Sequence, residues 1–418
     1  MNASRQLEAR IHRGALEVGG SCVELRCGTD TLFLDAGEPL DGTSSVGGSP
    51  LRLNERADPL GILVSHGHRD HWGRVPEFPS SVPRWIGRGA ADILRAAQFW
   101  GTGCDLGEAG HYRDRETFTL GPFAITPYLV DHSGYDAYGL LVEAAGRRMF
   151  YTGDFRGHGR KATVFERLLA DPPRDVHLLM MEGTNISSRG TESIATESDI
   201  ERDLVSTIEA TEGPVVVLSS PQNIDRLVTV YRATRRTGRD LAVDLYTADV
   251  MDAADRPSIP KVSPEWPHVR VIATDRQRVR VRDSGEFHRV AGRRNARVFA
   301  DAIIADPTRW VLFGAYSSQL ERWARADTLA GGCVVWSMWD GYLDSPSNSG
   351  MVSALERASV RFVHHHTSGH ASAADLRRLE RAIGADRLMP IHTDAPHQFA
   401  SHFDTVVDIE EEGSWWAV

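Results

Sequence analysis

The rhythm of the chain predicts an α/β fold in two parts, and three observations carry that expectation. Over about the first 195 of the 418 residues, short strand-like runs are punctuated by turn residues. From about residue 205 to 345, apolar runs of about four residues alternate with segments of helical period. That is the pattern of a mostly parallel sheet wrapped by helices. No internal repeat and no low-complexity tract interrupts either part.

In chain order, Val23–Leu25 and Thr31–Leu34 read as strands bounded by Gly28 and Gly37. Gly61-Ile62-Leu63-Val64-Ser65 is a short strand that ends where a histidine cluster begins, and Phe123–Val130 is a strand leading to His132. Tyr138–Glu143 and Arg148–Thr152 read as a hairpin joined by Ala-Ala-Gly-Arg, which delivers Asp154 to a strand end. In the second part, Val215–Leu218, Leu241–Leu245, Val269–Ile272, Trp310–Phe313 and Val334–Trp336 are the expected strands. Asn223–Thr237, Ala291–Ala305 and Ser318–Ala326 are the expected helices. The tail after Asp408 ends Glu-Glu-Glu-Gly-Ser-Trp-Trp and reads as a surface end or a packed aromatic cap.

Composition is that of a globular protein, with 41% hydrophobic and 25% charged residues. Residues 1–20 hold no apolar targeting core and no run approaches membrane-spanning length, so a cytoplasmic location without a membrane partner is expected. Cys22, Cys27, Cys104 and Cys333 lack metal-ribbon spacing and read as buried thiols. A net charge of −10 argues against indiscriminate adhesion to nucleic acid, yet leaves room for a local basic groove. Residues 270–297 carry nine arginines, which suit either a backbone-contacting entrance or a solvated surface. Trp336, Trp339 and Tyr342 suit base stacking, with burial at a domain seam the preferred reading.

Chemistry concentrates in six residues: His66, His68, Asp70, His71, His132 and Asp154. Imidazole nitrogens mixed with carboxylate oxygens suit Zn²⁺ or a similar transition ion. The set is too large for one tetrahedral ion and large enough for two, with Asp154 as the natural bridge. Two ions about 3.5–4 Å apart make hydroxide at neutral pH and stabilise attack on phosphorus or carbonyl carbon. A binuclear metallohydrolase follows. A metal-free histidine loop is the bland reading, and the recurrence of ligands at separate places along the chain weighs against it.

His66-Gly67-His68-Arg69-Asp70-His71 after a strand resembles the signature of the metallo-β-lactamase superfamily. Met181-Glu182-Gly183-Thr184-Asn185, His366-Thr367-Ser368-Gly369-His370 and Met389-Pro390-Ile391-His392 are similar to the three further motifs of its β-CASP nuclease branch. The wording is most similar to ribonuclease J, as are Gly14–Cys22 and Phe33–Gly37. Such landmarks run from about residue 10 to 400. The resemblance implies an α/β fold: a metallo-β-lactamase αββα sandwich with an inserted α/β β-CASP domain. The expected boundaries are 1–200 and 349–418 for the sandwich and 201–348 for the insertion.

By the same resemblance, His66, His68, His132 and Asp154 hold one metal, and Asp70, His71, Asp154 and His392 hold the second. Two Zn²⁺ are expected, with Mn²⁺ or Mg²⁺ as alternatives. Asp70, Glu182 and His370 are the catalytic candidates. Glu182, Asp35 and Asp394 would orient ligands from behind. His370, with Ser368 and His366, would contact the scissile phosphate, and His370 would protonate the leaving 3′-oxygen. The implied activity is hydrolysis of single-stranded RNA by a two-metal-activated hydroxide, leaving a 5′-phosphate, by endo- or 5′-exonucleolytic action. DNA-directed cleavage on the same scaffold and hydrolysis of a small ester, lactam or thioester are the rivals. A homodimer is left open. Against ribonuclease J, the chain is expected to lack a C-terminal domain, and Tyr316-Ser317-Ser318 and Ser337–Gly341 stand where its phosphate-recognition segments should be. Both departures weaken the expectation of 5′-monophosphate sensing and processive exonuclease action. The polar stretch Ser187–Ser198 reads as a linker into the insertion.

Overall fold

The computed structural model describes residues 6–40, 58–186 and 194–418. The chain divides into two units, Met1–Ile194 with Gly369–Val418, and Ala195–Ser368.

The first unit opens with β1 (Leu7–Arg13), β2 (Cys22–Cys27) and β3 (Asp30–Leu34), antiparallel neighbours in which Leu25 faces Ala9 on one side and Leu32 on the other. Period-two alternation buries Leu7, Ala9 and Ile11 of β1 and turns the residues between them outward. β4 (Ile62–Leu63), β5 (Arg84–Ile86) and β6 (Ala109–His111) extend this sheet in parallel from β3.

A second sheet begins with β7 (Phe118–Leu120), β8 (Phe123–Val130), β9 (Ala137–Ala144), β10 (Arg147–Tyr151) and β11 (Leu178–Glu182). The expected hairpin is β9–β10, with Ala144 opposite Arg147. Its two-residue turn, Ala145-Gly146, has φ of +50° and +76°, the left-handed pair that matches strand twist in tight hairpins.

Unit 2 carries β12 (Val215–Leu218), β13 (Asp240–Val243), β14 (Val269–Val271), β15 (Trp310–Gly314), β16 (Cys333–Trp336) and β17 (Arg361–His364). They form one wholly parallel sheet in the order β14-β13-β15-β12-β16-β17. Central strands such as Val215–Leu218 are buried along their whole length, which is why they read as unbroken apolar runs. Asn223 starts the helix Ile224–Arg236 by accepting from the Arg226 amide, as its cap position suggests.

Several sequence expectations need correcting. The inserted sheet includes β17, so its unit ends at Ser368 rather than 348. The helix Glu197–Glu209, entered through a Thr196–Asp199 capping box, runs across the expected boundary at 200. The expected helix Ala291–Ala305 is broken into Arg294–Ala296 and Ala300–Ala305, preceded by a turn ending at Ala291. Its middle is extended because the Val298 amide bonds to the Val271 carbonyl, adding an edge bridge to β14. β13 stops at Val243 because the Asp244 side chain caps the next helix, Leu245–Ala253, by accepting from the Thr247 amide. Residues 187–193 of the expected linker lie outside the described residues.

The chain re-enters the first unit with β18 (Arg387–Ile391), parallel to β11, then β19 (Val406–Val407), and closes with β20 (Trp416–Ala417) antiparallel to β1. The tail is a packed cap: Trp416 is buried, and the Arg10 and Arg26 guanidinium groups lie 4.5 and 4.0 Å from the Trp415 ring centroid.

One core of the first unit draws on both sheets, with Leu25, Leu34, Leu140, Met180 and Ile391 among its members. A second lies between the β1–β6 sheet and the helix Arg88–Gln98, through Ala90, Ala91 and Leu94. A third covers the outer face of the other sheet with Phe165, Leu168, Leu376 and Leu379 from the helices Ala162–Ala170 and Ala373–Ile383. The layering is therefore helix, sheet, sheet, helix. Among the described residues, no helix is long and apolar enough to cross a membrane. All four cysteines are free, and Cys22, Cys27 and Cys333 are buried.

Candidate metal centre

Strand direction explains why residues far apart in the chain meet. β8, β10, β11 and β18 run the same way through one sheet, and β3 and β4 run parallel in the other. Asp35, Ser65–His71, His132, Asp154 and His392 each follow the carboxyl end of one of these strands, and Glu182 is the last residue of β11. His66 and His68 flank Gly67 in an extended segment, and the short helix Arg69–Trp72 then carries Asp70 and His71.

The seven residues expected to hold metal converge. His66, His68 and His132 form one group of mutually close ligand atoms, His66, His71 and Asp154 a second, and Asp70, His71 and His392 a third. His68 Nδ1 lies 3.1 Å from His66 Nε2 and 3.0 Å from His132 Nε2. Asp154 Oδ2 is the hub, 3.1 Å from His71 Nε2, 3.7 Å from His66 Nε2 and His392 Nε2, and 3.9 Å from His132 Nε2. Asp70 Oδ2 faces His392 Nε2 at 3.2 Å.

Four of these rings are held by the nitrogen that points away from the cluster. His71 Nδ1 meets Asp35 Oδ2 at 2.7 Å, and His132 Nδ1 meets the Gly369 carbonyl at 2.6 Å. His66 Nδ1 lies 3.0 Å from Ser65 Oγ, and His392 Nδ1 lies 2.9 Å from Thr184 Oγ1. Asp35 is itself fixed by the Ser65 amide at 2.6 Å, the Ser65 hydroxyl at 2.7 Å and the Tyr151 hydroxyl at 2.7 Å. With the ring hydrogen on the outer nitrogen, each inward-facing nitrogen can offer a lone pair.

Electrostatics agree. Burial, reinforced by neighbouring imidazoles, pushes His66 and His132 well below the usual histidine value, and burial takes His68 to about 4. Burial would raise Asp70 and Asp154, but facing histidines outweigh it, taking Asp70 to about 2 and Asp154 well below the carboxylate range. His71 goes the other way: burial is overcome by Asp154, Asp35 and Asp70. Both Asp154 oxygens and His71 Nε2 are buried, and beyond the 3.1 Å approach of His71 Nε2 to Asp154 Oδ2 they have no hydrogen-bond partner among the described residues. Buried polar atoms left this way are expensive unless another group satisfies them, and a divalent cation would fit that role.

Backbone constraints tighten the site. His392 sits at φ +54°, a left-handed conformation uncommon outside glycine, with its amide bonded to the Gly14 carbonyl at 2.6 Å. Gly37 is required by close approach, since a Cβ there would fall 1.6 Å from the Asp70 carbonyl oxygen.

His370 joins the cluster, with Nδ1 3.6 Å from Asp154 Oδ2, 3.5 Å from Glu182 Oε1 and 3.1 Å from Thr184 Oγ1. Burial opposes its protonation, but Glu182 and Asp154 raise it to about 9. Glu182 lies behind the cluster, accepting from the Ala371 and Thr184 amides, both at 3.1 Å. Ser368 and His366 belong to the other unit. Asp394 is exposed, contrary to expectation, and the group behind His392 is the Thr184 hydroxyl. Sequence reading missed Ser65, Tyr151, Thr184 and Asn185 as supports. Thr184 and Asn185 stand inside the Met181–Asn185 motif, and Ser65 and Tyr151 lie within three residues of a ligand; that placement is their one signal.

Within the second unit, Trp336 is buried, but Trp339 and Tyr342 are 57% and 48% exposed, so burial of all three is corrected. Of the nine arginines in 270–297, Arg278, Arg282, Arg289 and Arg293 pair with carboxylates.

No protein-family model matches the chain. Ribonuclease J of Mycoplasma genitalium is 23% identical over 409 residues, covering 91% of this chain and 66% of that protein. Ribonuclease J of Mycobacterium tuberculosis (H37Rv) is 24% identical over 401 residues, covering 89% and 64%. Ribonuclease J 1 of Streptococcus pyogenes serotype M3 is 22% identical over 351 residues, covering 79% and 57%. The chain thus spans about two thirds or less of the length of these relatives. Among solved structures, a protein of unknown function from Enterococcus faecalis V583 shares the fold, with a TM-score of 0.77 at 18% identity over 99% of this chain and 100% of that one. As its motifs implied, the chain is a homologue of bacterial proteins named ribonuclease J, with an αββα sandwich interrupted by a second α/β unit.

Proposed function

We propose that this chain is a divalent-metal-dependent ribonuclease that hydrolyses phosphodiester bonds of single-stranded RNA. One observation carries the reading: histidine nitrogens and two aspartates face one another around Asp154 Oδ2, while four rings are fixed from outside. That donor set fits two cations. His66, His68, His132 and Asp154 would hold one, and Asp70, His71, Asp154 and His392 the other. When bound, two such ions supply Lewis acidity and a deprotonated water at neutral pH.

The chain's own groups do the rest. Asp35, Ser65, Thr184 and the Gly369 carbonyl keep imidazole lone pairs aimed inward, which removes reorganisation from the chemical step. His370 would protonate the departing 3′-oxygen. Glu182, 3.5 Å away, favours its protonated ring and also fixes the loop that carries it. The RNA assignment is supported by the names of the relatives and by the presence of a whole second α/β unit, which a small ester or lactam does not require.

The test pairs metal analysis with cleavage of matched oligonucleotides. Purified protein is expected to cut single-stranded RNA in preference to DNA of the same sequence. The double variant Asp70→Ala/His71→Ala should abolish cleavage with the fold retained. Full activity of that variant, or equal cutting of DNA, contradicts the reading.

A further inference from the structure

Thr184 Oγ1 is placed between two imidazoles. It lies 2.9 Å from His392 Nδ1 and 3.1 Å from His370 Nδ1, with the His392 carbonyl oxygen at 3.3 Å. Its backbone is pinned, since the Thr184 amide donates to Glu182 Oε2 at 3.1 Å. Its neighbour Asn185 donates from Nδ2 to the carbonyls of His370 and Ala371 at 3.2 and 2.9 Å. The segment 182–185 therefore clamps the loop bearing His370, and the threonine hydroxyl sits where that loop meets His392.

A hydroxyl has one hydrogen to give and two lone pairs to offer. His392 Nε2 points at Asp70 Oδ2 and Asp154 Oδ2, at 3.2 and 3.7 Å. For that nitrogen to offer a lone pair to a cation, the ring hydrogen must reside on Nδ1, where the nearest acceptor is Thr184 Oγ1. The hydroxyl hydrogen then remains free for the His392 carbonyl, and the second lone pair can accept from the protonated His370 Nδ1. Asp35 performs the corresponding task for His71, the Gly369 carbonyl for His132 and Ser65 Oγ for His66, so Thr184 is the fourth such partner of an outer nitrogen.

We infer that Thr184 is a positioning residue for metal binding: its hydroxyl fixes the His392 ring in the tautomer that presents Nε2 to the second cation, and ties that ring to His370. This rests on the two-cation reading above. The His392 ring is also stacked against His71 and His370, with centroids 5.2 Å away in each case, and Thr184 Oγ1 is the hydrogen-bond partner of its outer nitrogen. Loss of an orienting partner of this kind typically weakens metal affinity by about 10–100-fold.

Co²⁺ titration of metal-stripped protein, followed by absorbance, separates the possibilities, with nitrogen-15 chemical shifts of His392 as a second readout. Wild type is expected to take up two Co²⁺ per chain and to show a hydrogen on His392 Nδ1. Thr184→Val keeps the shape without the hydroxyl. It should retain one site, weaken the other about 10–100-fold and lose the single tautomer. Thr184→Ser should restore both properties, and Thr184→Ala should repeat the valine result if Thr184→Val does not fold. Equal affinity of wild type and both hydroxyl-free variants overturns the inference alone. So does a serine variant as weak as the valine one. Wild type that binds fewer than two Co²⁺ overturns the two-cation reading and this inference with it.

Discussion

His71 Nδ1 and Asp35 Oδ2 meet at 2.7 Å with both residues fully buried, and the same carboxylate oxygen accepts from the Tyr151 hydroxyl. A strand-end aspartate at φ +57° thus links the two sheets' contributions to the cluster. Replacing Asp35 with Asn removes one acceptor while keeping the shape. Zinc affinity of the position that holds His71 is expected to fall about 10–100-fold, read by competition with a chromophoric chelator. Unchanged affinity would show that Asp35 only packs.

Close backbone approach at Gly37 gives a second prediction. A methyl group there has no room against the Asp70 carbonyl, so Gly37→Ala must displace the helix that bears Asp70 and His71. A stability loss of about 1–3 kcal/mol in urea unfolding is expected, with metal affinity reduced in parallel. Wild-type metal affinity in this variant would mean the loop accommodates the methyl elsewhere.

Glu24 makes stability depend on acid, away from the metal cluster. Burial alone would raise its carboxyl, but hydrogen bonds from His12, at 2.8 Å, and Arg10 hold it below its usual value of 4.5. A carboxyl lowered on folding adds stability that is present above its unfolded value and is lost as pH falls through the folded one. Wild type should therefore lose more stability than Glu24→Gln between about pH 5 and 3, measured by thermal melts across that range. Parallel acid limbs would remove Glu24 as a source.

In the second unit, Arg226 and Glu197 form a fully buried pair at 3.1 Å. Arg226 also donates to the Ser337 hydroxyl and, at 3.3 Å, to the His365 carbonyl beside His366. Arg226→Ala leaves Glu197 buried without its counter-charge and should destabilise by about 3–5 kcal/mol. The double variant Arg226→Met/Glu197→Gln should recover much of that loss in denaturant unfolding. No recovery would mean that the contacts to Ser337 and His365, rather than the unpaired charge, dominate.

Legibility in the sequence followed the range of the interaction. Ligands within Ser65–His71 could be read because their spacing is local. The β9–β10 hairpin could be read because two alternating runs flank a turn that accepts left-handed residues. The strands of the inserted sheet stood out because burial on both faces makes them continuously apolar. What stayed hidden was long-range. Nothing near Arg361–His364 says that it joins β16, and nothing near Val298 says that it bridges to β14. Thr184 stood inside a quoted motif, but its role could not be read, because it comes from rings about 190 and 210 positions away. The exposure of Asp394 was equally invisible, since a carboxylate two residues past a ligand reads the same whether it faces inward or out.

The most direct measurement is single-turnover cleavage of an end-labelled single-stranded RNA by metal-stripped protein, before and after Zn²⁺ or Mn²⁺ is returned, alongside Asp154→Asn. Stripping should abolish cleavage, returning the ion should restore it, and Asp154→Asn should remain inactive under both conditions because the shared oxygen at the hub has lost its charge. Cleavage by the stripped protein at the reloaded rate, or full activity of Asp154→Asn, would contradict a metal-dependent ribonuclease built around that carboxylate.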